Sequence, residues 1–239
     1  MDVAQCCGGL ILHVIVANFG NDSLALIAHA HAQKWLNVRV VSVDTGFANP
    51  AWSARVVQAE AYAREQGFEV IRLQAKPDFA GLVRAQGEFP TPKFQWCAVY
   101  LKGDTIRNWL EINDPLKTAK VILARRRSQS LKFEDLPEWI ENDEAFSGRL
   151  IWHPFYLYSE SEIKALVAAT PFEWLPHRSL ECDPCVNSSC AELKRAIPDV
   201  QSRIQVLEAE IGGAFLKKNI PDKPFIFDMG CGSPYGCGL

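Results

Sequence analysis

The residues with the clearest chemical purpose sit in one short polar turn. Asn18-Phe19-Gly20-Asn21-Asp22-Ser23 follows the apolar run LILHVIVA and precedes a helical pattern. A glycine lets backbone approach an oxyanion closely, and an opening helix presents free N–H groups and a partial positive charge. Such a turn suits a phosphate or pyrophosphate, although the same residues could form an ordinary strand–helix turn capped by Asp22 or Ser23. A second polar turn, Asp44-Thr45-Gly46, ends the next apolar run. Both turns fall at the carboxyl ends of strands, where open α/β sheets take their ligands. Asp44 could hold a ribose hydroxyl or a metal there, or cap its own turn.

Cysteine supplies the other chemistry. Eight are present, many for a reducing compartment, where they point to metal or redox chemistry before structural disulfides. Cys182 and Cys185 form a Cys-x2-Cys pair, Cys190 follows, and Cys97 lies far upstream. Four thiolates from two chain regions can complete a tetrahedral metal site or a [4Fe–4S] cluster. The bland alternative is a structural zinc knuckle, or four thiols without a ligand. Cys231 and Cys237 stand in a glycine-rich tail that would leave them accessible. A thiol becomes a good nucleophile only when its pKa falls, and the tail offers no basic neighbour. Cys6 and Cys7 are read as unpaired thiols.

The elements that would position these residues alternate. Residues 10–17 read as a buried strand, 24–36 as a helix, 38–43 as a strand, 51–66 as a helix and 69–73 as a third strand. That order implies a parallel sheet wound on both faces. Residues 77–95 look irregular and hold three prolines. A helix over 97–112, a strand over 120–124, a strand from 150 and a helix over 159–169 follow. The last of these opens on a Ser-x-x-Glu capping pattern at Ser159 and Glu162. Arg125, Arg126 and Arg127 follow the fourth strand, so they should face the crevice, where arginine suits phosphate or sulfate. A helix over 200–211 leads into the tail. The histidines form no spaced metal set, and Trp52 and Trp96 should lie near the crevice.

Composition bounds the reading. The chain has 239 residues, 48% apolar and 22% charged, with a formal net charge of −3. That balance argues against broad salt-driven nucleic-acid binding. No apolar run reaches membrane-spanning length, and the opening lacks the positive flank of a signal peptide. The expectation is a cytoplasmic protein with no membrane partner.

Several segments together resemble the PP-loop superfamily, in particular the phosphoadenylylsulfate (PAPS) reductase-like branch. FGNDS stands for that branch's S-x-G-x-D-S-like loop, VDTGFANP for its D-T-G segment, and WCAVYLK for its W-C-x-x-x-L-K segment. ARRRSQS stands for its G-x-R segment, which places the matching arginine at Arg126, and HPFYLYSESEI for a later conserved-pattern stretch. Asn18 replaces a common serine. Asn21 replaces a lysine common in ATP-cleaving members, which removes a point charge from the phosphate site.

The resemblance implies a doubly wound, mostly parallel sheet of the adenine nucleotide alpha hydrolase-like type. Residues 1–175 would form the nucleotide domain, and the Cys-rich residues 176–239 would pack on it. It implies ATP or a PAPS-type nucleotide with Mg²⁺, held by Asn18, Phe19, Gly20, Asn21, Asp22, Ser23, Asp44, Thr45, Gly46, Lys102 and Arg126. It also favours a [4Fe–4S] cluster over zinc on Cys97, Cys182, Cys185 and Cys190, as in cluster-bearing adenylylsulfate reductases and DNA phosphorothioation enzymes.

The implied activity is an ATP pyrophosphatase or adenylating step coupled to sulfur transfer, with Asp22, Ser23 and Arg126 at the reacting phosphates. A second implied activity is PAPS or adenylylsulfate reduction by Cys231 or Cys237 with a thioredoxin-like partner. A third is a nucleotide- or cluster-binding subunit without catalysis. The expected partners are a sulfur donor and a second copy of the chain, with a nucleic-acid acceptor left open.

Overall fold

The computed structural model describes residues 11–215, except 93, 130–132, 189–191 and 194–195. Its centre is a six-stranded sheet. The strands are β1 (His13–Val16), β2 (Val38–Asp44), β3 (Glu69–Gln74), β4 (Lys120–Ile122), β5 (Trp139–Asp143) and β6 (Arg149–Trp152). Their spatial order is β3-β2-β1-β4-β6-β5. All pairs are parallel except β5 with β6, which is antiparallel. The fold is therefore α/β with a mostly parallel sheet, as the alternating pattern implied. The strand order reverses at β1: the chain builds outward to β3, then returns to add β4 on the other side.

Alternation along the strands divides the core. Ile15, Val40 and Ile122 face one cluster with Leu24, Leu26 and Ile27 of α1 (Asn21–Ala32), Ala59 and Ala63 of α2 (Pro50–Glu65) and Ile163 of α5 (Glu160–Ala168). Val14, Val41 and Val121 face the opposite cluster, with Ile106 and Leu110 of α4 (Asp104–Asn113). Successive side chains of a strand point to opposite faces, so a strand buried on both reads as a continuous apolar run. A third cluster lies beyond the carboxyl ends of β2 and β3. There Phe47 meets α3 (Phe79–Gln86) and α6 (Pro198–Ile211) through Phe79, Leu82, Val83, Ile204 and Leu207.

Several boundaries differ from the sequence reading. The helix after β1 begins at Asn21, so Asn21, Asp22 and Ser23 form its buried first turn. The irregular 77–95 stretch contains α3, capped by Asp78, whose side chain accepts from Gly81 N at 2.8 Å. The expected single helix over 97–112 opens as a π-helical turn, Ala98–Gly103, before α4 begins. β5 was not anticipated. Its pattern lacks a clean apolar alternation because it is an edge strand with most residues partly exposed. The capping box at Ser159 and Glu162 is present as expected.

Candidate functional site

The turn between β1 and α1 is held by its own first residue. Asn18 Oδ1 accepts from Gly20 N at 2.9 Å and from Ser23 Oγ at 2.8 Å, while Asn18 N donates to Ser23 Oγ at 3.2 Å. These bonds tie the strand end to the first turn of α1 and fix the loop's curvature. Phe19 adopts a left-handed φ of 58°, uncommon for a bulky residue and a mark of a constrained turn. Its carbonyl accepts from Arg55 Nε at 3.0 Å. The first-turn N–H groups of α1 have no intrahelical acceptor by construction, so they point toward the space in front of the loop.

Two buried ion pairs flank this turn. Arg126 Nε donates to Asp22 Oδ1 at 2.9 Å, and both side chains are nearly enclosed. Arg126 Nη1 also donates to Ser128 Oγ at 2.9 Å. Burial pushes the Asp22 carboxyl above its ordinary range, and the neighbouring guanidinium works against that shift. The second pair is Lys102 with Glu181. Of the three adjacent arginines, Arg126 alone turns onto the loop. Arg125 lies 5.3 Å from the Phe133 ring, and Arg127 Nε donates to Leu136 O at 2.8 Å.

The Asp44-Thr45-Gly46 turn faces the same space. Asp44 Oδ1 accepts from Gly46 N at 2.8 Å, so the aspartate caps its own turn while lining the cleft. Gly46 has a φ of 70°, and a Cβ there would come 2.7 Å from Asp78 Cβ. Thr45 Oγ1 donates to Glu181 O at 2.9 Å and lies 3.2 Å from Cys182 Sγ.

Between the two turns opens a solvent-open cleft, lined by Ala17, Asn18, Phe19, Asp44, Trp52 and Glu181 among others. Ser42 Oγ and Trp52 Nε1 are buried beside it and find no hydrogen-bond partner among the described residues. A native protein rarely leaves such groups unsatisfied, so each marks a place for a ligand or water. Trp96, expected at the crevice, packs instead in the third cluster with Phe47 and Phe79.

A strap from the C-terminal part crosses both turns. Asn21 Nδ2 donates to Leu175 O at 2.9 Å, and Leu175 N returns a bond to Asn21 Oδ1 at 3.0 Å. Asn49 N donates to Leu180 O, and Asp183 N to Phe47 O. Asn49 Nδ2 adds a bond to Asp183 Oδ2 at 2.6 Å. Glu181 and Ser179, which the motif reading passed over, arrive at the cleft this way. Glu181 adjoins a cysteine motif in sequence, but nothing local foretells that its carboxylate reaches Lys102.

The cysteines are only partly brought together. Cys97 and Cys185 both pack against the third core cluster, and Cys182 sits at Thr45. Their half-buried thiols suit a thiolate-bound centre, yet no group of three metal-ligating side chains converges among the described residues. Cys190, Cys231 and Cys237, with Cys6 and Cys7, lie outside the described residues. Three of the four cysteines expected to hold a cluster, Cys97, Cys182 and Cys185, lie among the described residues.

The fold is α/β, with a mostly parallel six-stranded sheet that several solved enzymes share. Its solved likenesses are enzymes. The U34-tRNA thiolase NcsA of Methanococcus maripaludis, which carries a [4Fe–4S] cluster, is 15% identical over 87% of this chain and 69% of its own, with a TM-score of 0.53. The NMN synthetase of Francisella tularensis is 11% identical over 87% and 89%, with a TM-score of 0.52. PAPS reductase from Candida auris, in a phosphate complex, is 16% identical over 68% and 74%, with a TM-score of 0.48. In sequence, the chain is 24% identical over 156 residues to an uncharacterised 37.8 kDa protein from the gpa 5' region of Escherichia phage 186. That match covers 59% of this chain and 46% of the phage protein, so the chain spans about half of that relative's length. No family profile matches the chain. Among the described residues no helix is long and apolar enough to cross a membrane.

Proposed function

We propose that the chain is an adenine-nucleotide enzyme of the ATP pyrophosphatase type that serves sulfur chemistry. The observation that carries the nucleotide part is the cleft between the β1 and β2 turns, with Ser42 Oγ and Trp52 Nε1 unpartnered beside it. The Trp52 donor matches a ring nitrogen of a base, and the Ser42 hydroxyl can donate or accept. Asp44, which lines the cleft, would take a ribose hydroxyl. The phosphates would then reach the first turn of α1, near Ser23, Arg126 and Lys102.

In this reading an acceptor oxygen attacks the α-phosphorus of ATP. The bond to pyrophosphate breaks, and the negative charge gathers on the departing pyrophosphate. The N–H groups of α1 and the Arg126 guanidinium stabilise that charge. Arg126 is held for this role by Asp22. Mg²⁺ would shield the phosphates, with Asp44, which lines the cleft, as a carboxylate that could hold it. A sulfur nucleophile then displaces AMP from the activated acceptor. The sulfur part of the reading rests on the motif resemblance. The same resemblance names Cys97, Cys182, Cys185 and Cys190 as the residues that would hold a [4Fe–4S] centre, or zinc, and no step runs through it.

Titration of the full chain with ATP, and assays of pyrophosphate and sulfite release, test this. ATP binding with pyrophosphate release is expected. Trp52→Phe, which deletes one N–H from the cleft, should weaken ATP binding by about tenfold, the value of one buried hydrogen bond. Sulfite release from PAPS without pyrophosphate release would replace the adenylation step by the reductase. Failure to bind any adenine nucleotide would end the reading.

A further inference from the structure

Glu181 is the residue whose placement a phosphate site would least tolerate. Its side chain is 13% exposed and pairs with Lys102, whose side chain is 5% exposed. Asn18 Nδ2 and Ser179 Oγ each lie 3.5 Å from Glu181 Oε1. The carboxylate forms part of the cleft wall together with Asn18 and Phe19 of the PP-loop. A lysine, an amide and a hydroxyl beside a helix N-terminus are the partners a phosphate oxygen takes. Here a carboxylate has taken them.

The backbone presents that carboxylate firmly. Its own carbonyl accepts from Thr45 Oγ1 at 2.9 Å. On either side, Leu180 O accepts from Asn49 N and Asp183 N donates to Phe47 O. Glu181 is thus held over the cleft from three points of the β2 turn and the start of α2.

We propose that Glu181 is an internal stand-in for the nucleotide's phosphates and sets the site's selectivity for pyrophosphate-bearing ligands. The inference rests on the nucleotide reading above. Without a ligand, the carboxylate neutralises Lys102. An entering phosphate cannot share one lysine with an adjacent carboxylate in a nearly enclosed site, because like charges there repel strongly. Glu181 must therefore yield Lys102. A ligand gains entry only if its phosphates bring more charge and more contacts than the carboxylate they displace. Triphosphates and pyrophosphate meet that condition better than monophosphates do. A purely structural Lys102–Glu181 pair would affect stability and leave this selectivity unchanged.

The test is calorimetric titration of the full chain with ATP, inorganic pyrophosphate and AMP, each with Mg²⁺. The chains are wild type, Glu181→Gln, Glu181→Asp, Lys102→Gln and the Glu181→Gln/Lys102→Gln double variant, with circular dichroism confirming each fold. Glu181→Gln should bind AMP about tenfold tighter and pyrophosphate by a smaller factor, so the preference for pyrophosphate narrows, a typical coupling for close charge pairs. Glu181→Asp, with its carboxylate drawn back by one methylene, should fall between. In the Lys102→Gln background, Glu181→Gln should no longer narrow that preference, because the cation for which the ligands and the carboxylate compete is gone. An unchanged preference for pyrophosphate over AMP in Glu181→Gln and Glu181→Asp overturns the proposal, as does the same narrowing without Lys102. If Glu181→Gln does not fold, Glu181→Asp decides alone. A wild-type chain that binds none of the three ligands sinks the nucleotide reading and this proposal together, a result distinct from binding that ignores Glu181.

Discussion

His153 follows β6 with its ring fully buried. Its Nδ1 lies 2.9 Å from Pro137 O, and its Nε2 has no partner among the described residues. Burial pushes its pKa down from 6.5 to about 4. Between those values the unfolded chain binds a proton that the folded chain refuses. Stability is therefore complete above about pH 6.5 and falls as pH drops toward 4, by roughly 3 kcal/mol. Urea unfolding at pH 7 and pH 4.5 should show this loss. In a His153→Asn variant, which can still donate to Pro137, the loss should be smaller. Equal losses in the two chains would place the acid sensitivity elsewhere. The motif resemblance had already drawn attention to this histidine as the start of HPFYLYSESEI, but a buried neutral ring explains its presence without catalysis.

At the scale of elements, α3 shows how a short helix fixes a functional turn. It is eight residues long, begins at the Asp78 cap and ends at Gly87. Gly46 and Gly87 both have a φ of 70°, yet their surroundings differ. A Cβ on Gly87 meets nothing within 4 Å, whereas one on Gly46 meets Asp78 Cβ at 2.7 Å. Gly87→Ala should cost only the left-handed backbone penalty, about 1 kcal/mol. Gly46→Ala adds a clash that forces the α3 cap away from the β2 turn. Its cost should exceed about 2 kcal/mol, and ATP binding should weaken with it. Thermal melts of the two variants make the comparison, and equal shifts would mean that Asp78 moves aside freely. Three prolines and the helix's shortness hid α3 from periodicity, since eight residues give too few turns for a pattern to register.

For the whole molecule, the decisive connection joins the β1 turn to the strap that follows α5. Asn21 bonds the Leu175 backbone with both amide atoms, so the residue that replaces a lysine in the loop serves as the anchor of the strap. Arg203 of α6 extends the same junction by donating to Ala48 O and Asp183 O, both at 3.1 Å. Asn21→Leu keeps the volume and removes the bonds, leaving the Leu175 N–H and C=O unsatisfied. A loss of about 1–3 kcal/mol is expected, with faster proteolytic cleavage within residues 171–188. Unchanged cleavage there would show that the strap is held by the Asn49 and Thr45 contacts alone.

The sequence by itself determined the parts whose signals are local. Largely apolar runs marked β1, β2 and β4, because strands buried on both faces are mostly apolar. A glycine-bearing turn before α1 and the Ser159 capping box were legible for the same reason: turn and cap chemistry acts over a few residues. Arg125, Arg126 and Arg127 were marked by their place after β4, the motif resemblance singled out Arg126, and the alternation of strands with helices implied the α/β class. The tertiary structure alone decided which charges meet. Asp22 with Arg126 and Lys102 with Glu181 are pairs separated by long stretches of chain. Their contact depends on how the π-helical turn and the strap pack against β1 and β2. The same holds for the orphaned Ser42 and Trp52 atoms, since burial without a partner is a property of the packed interior and has no counterpart in a list of residues.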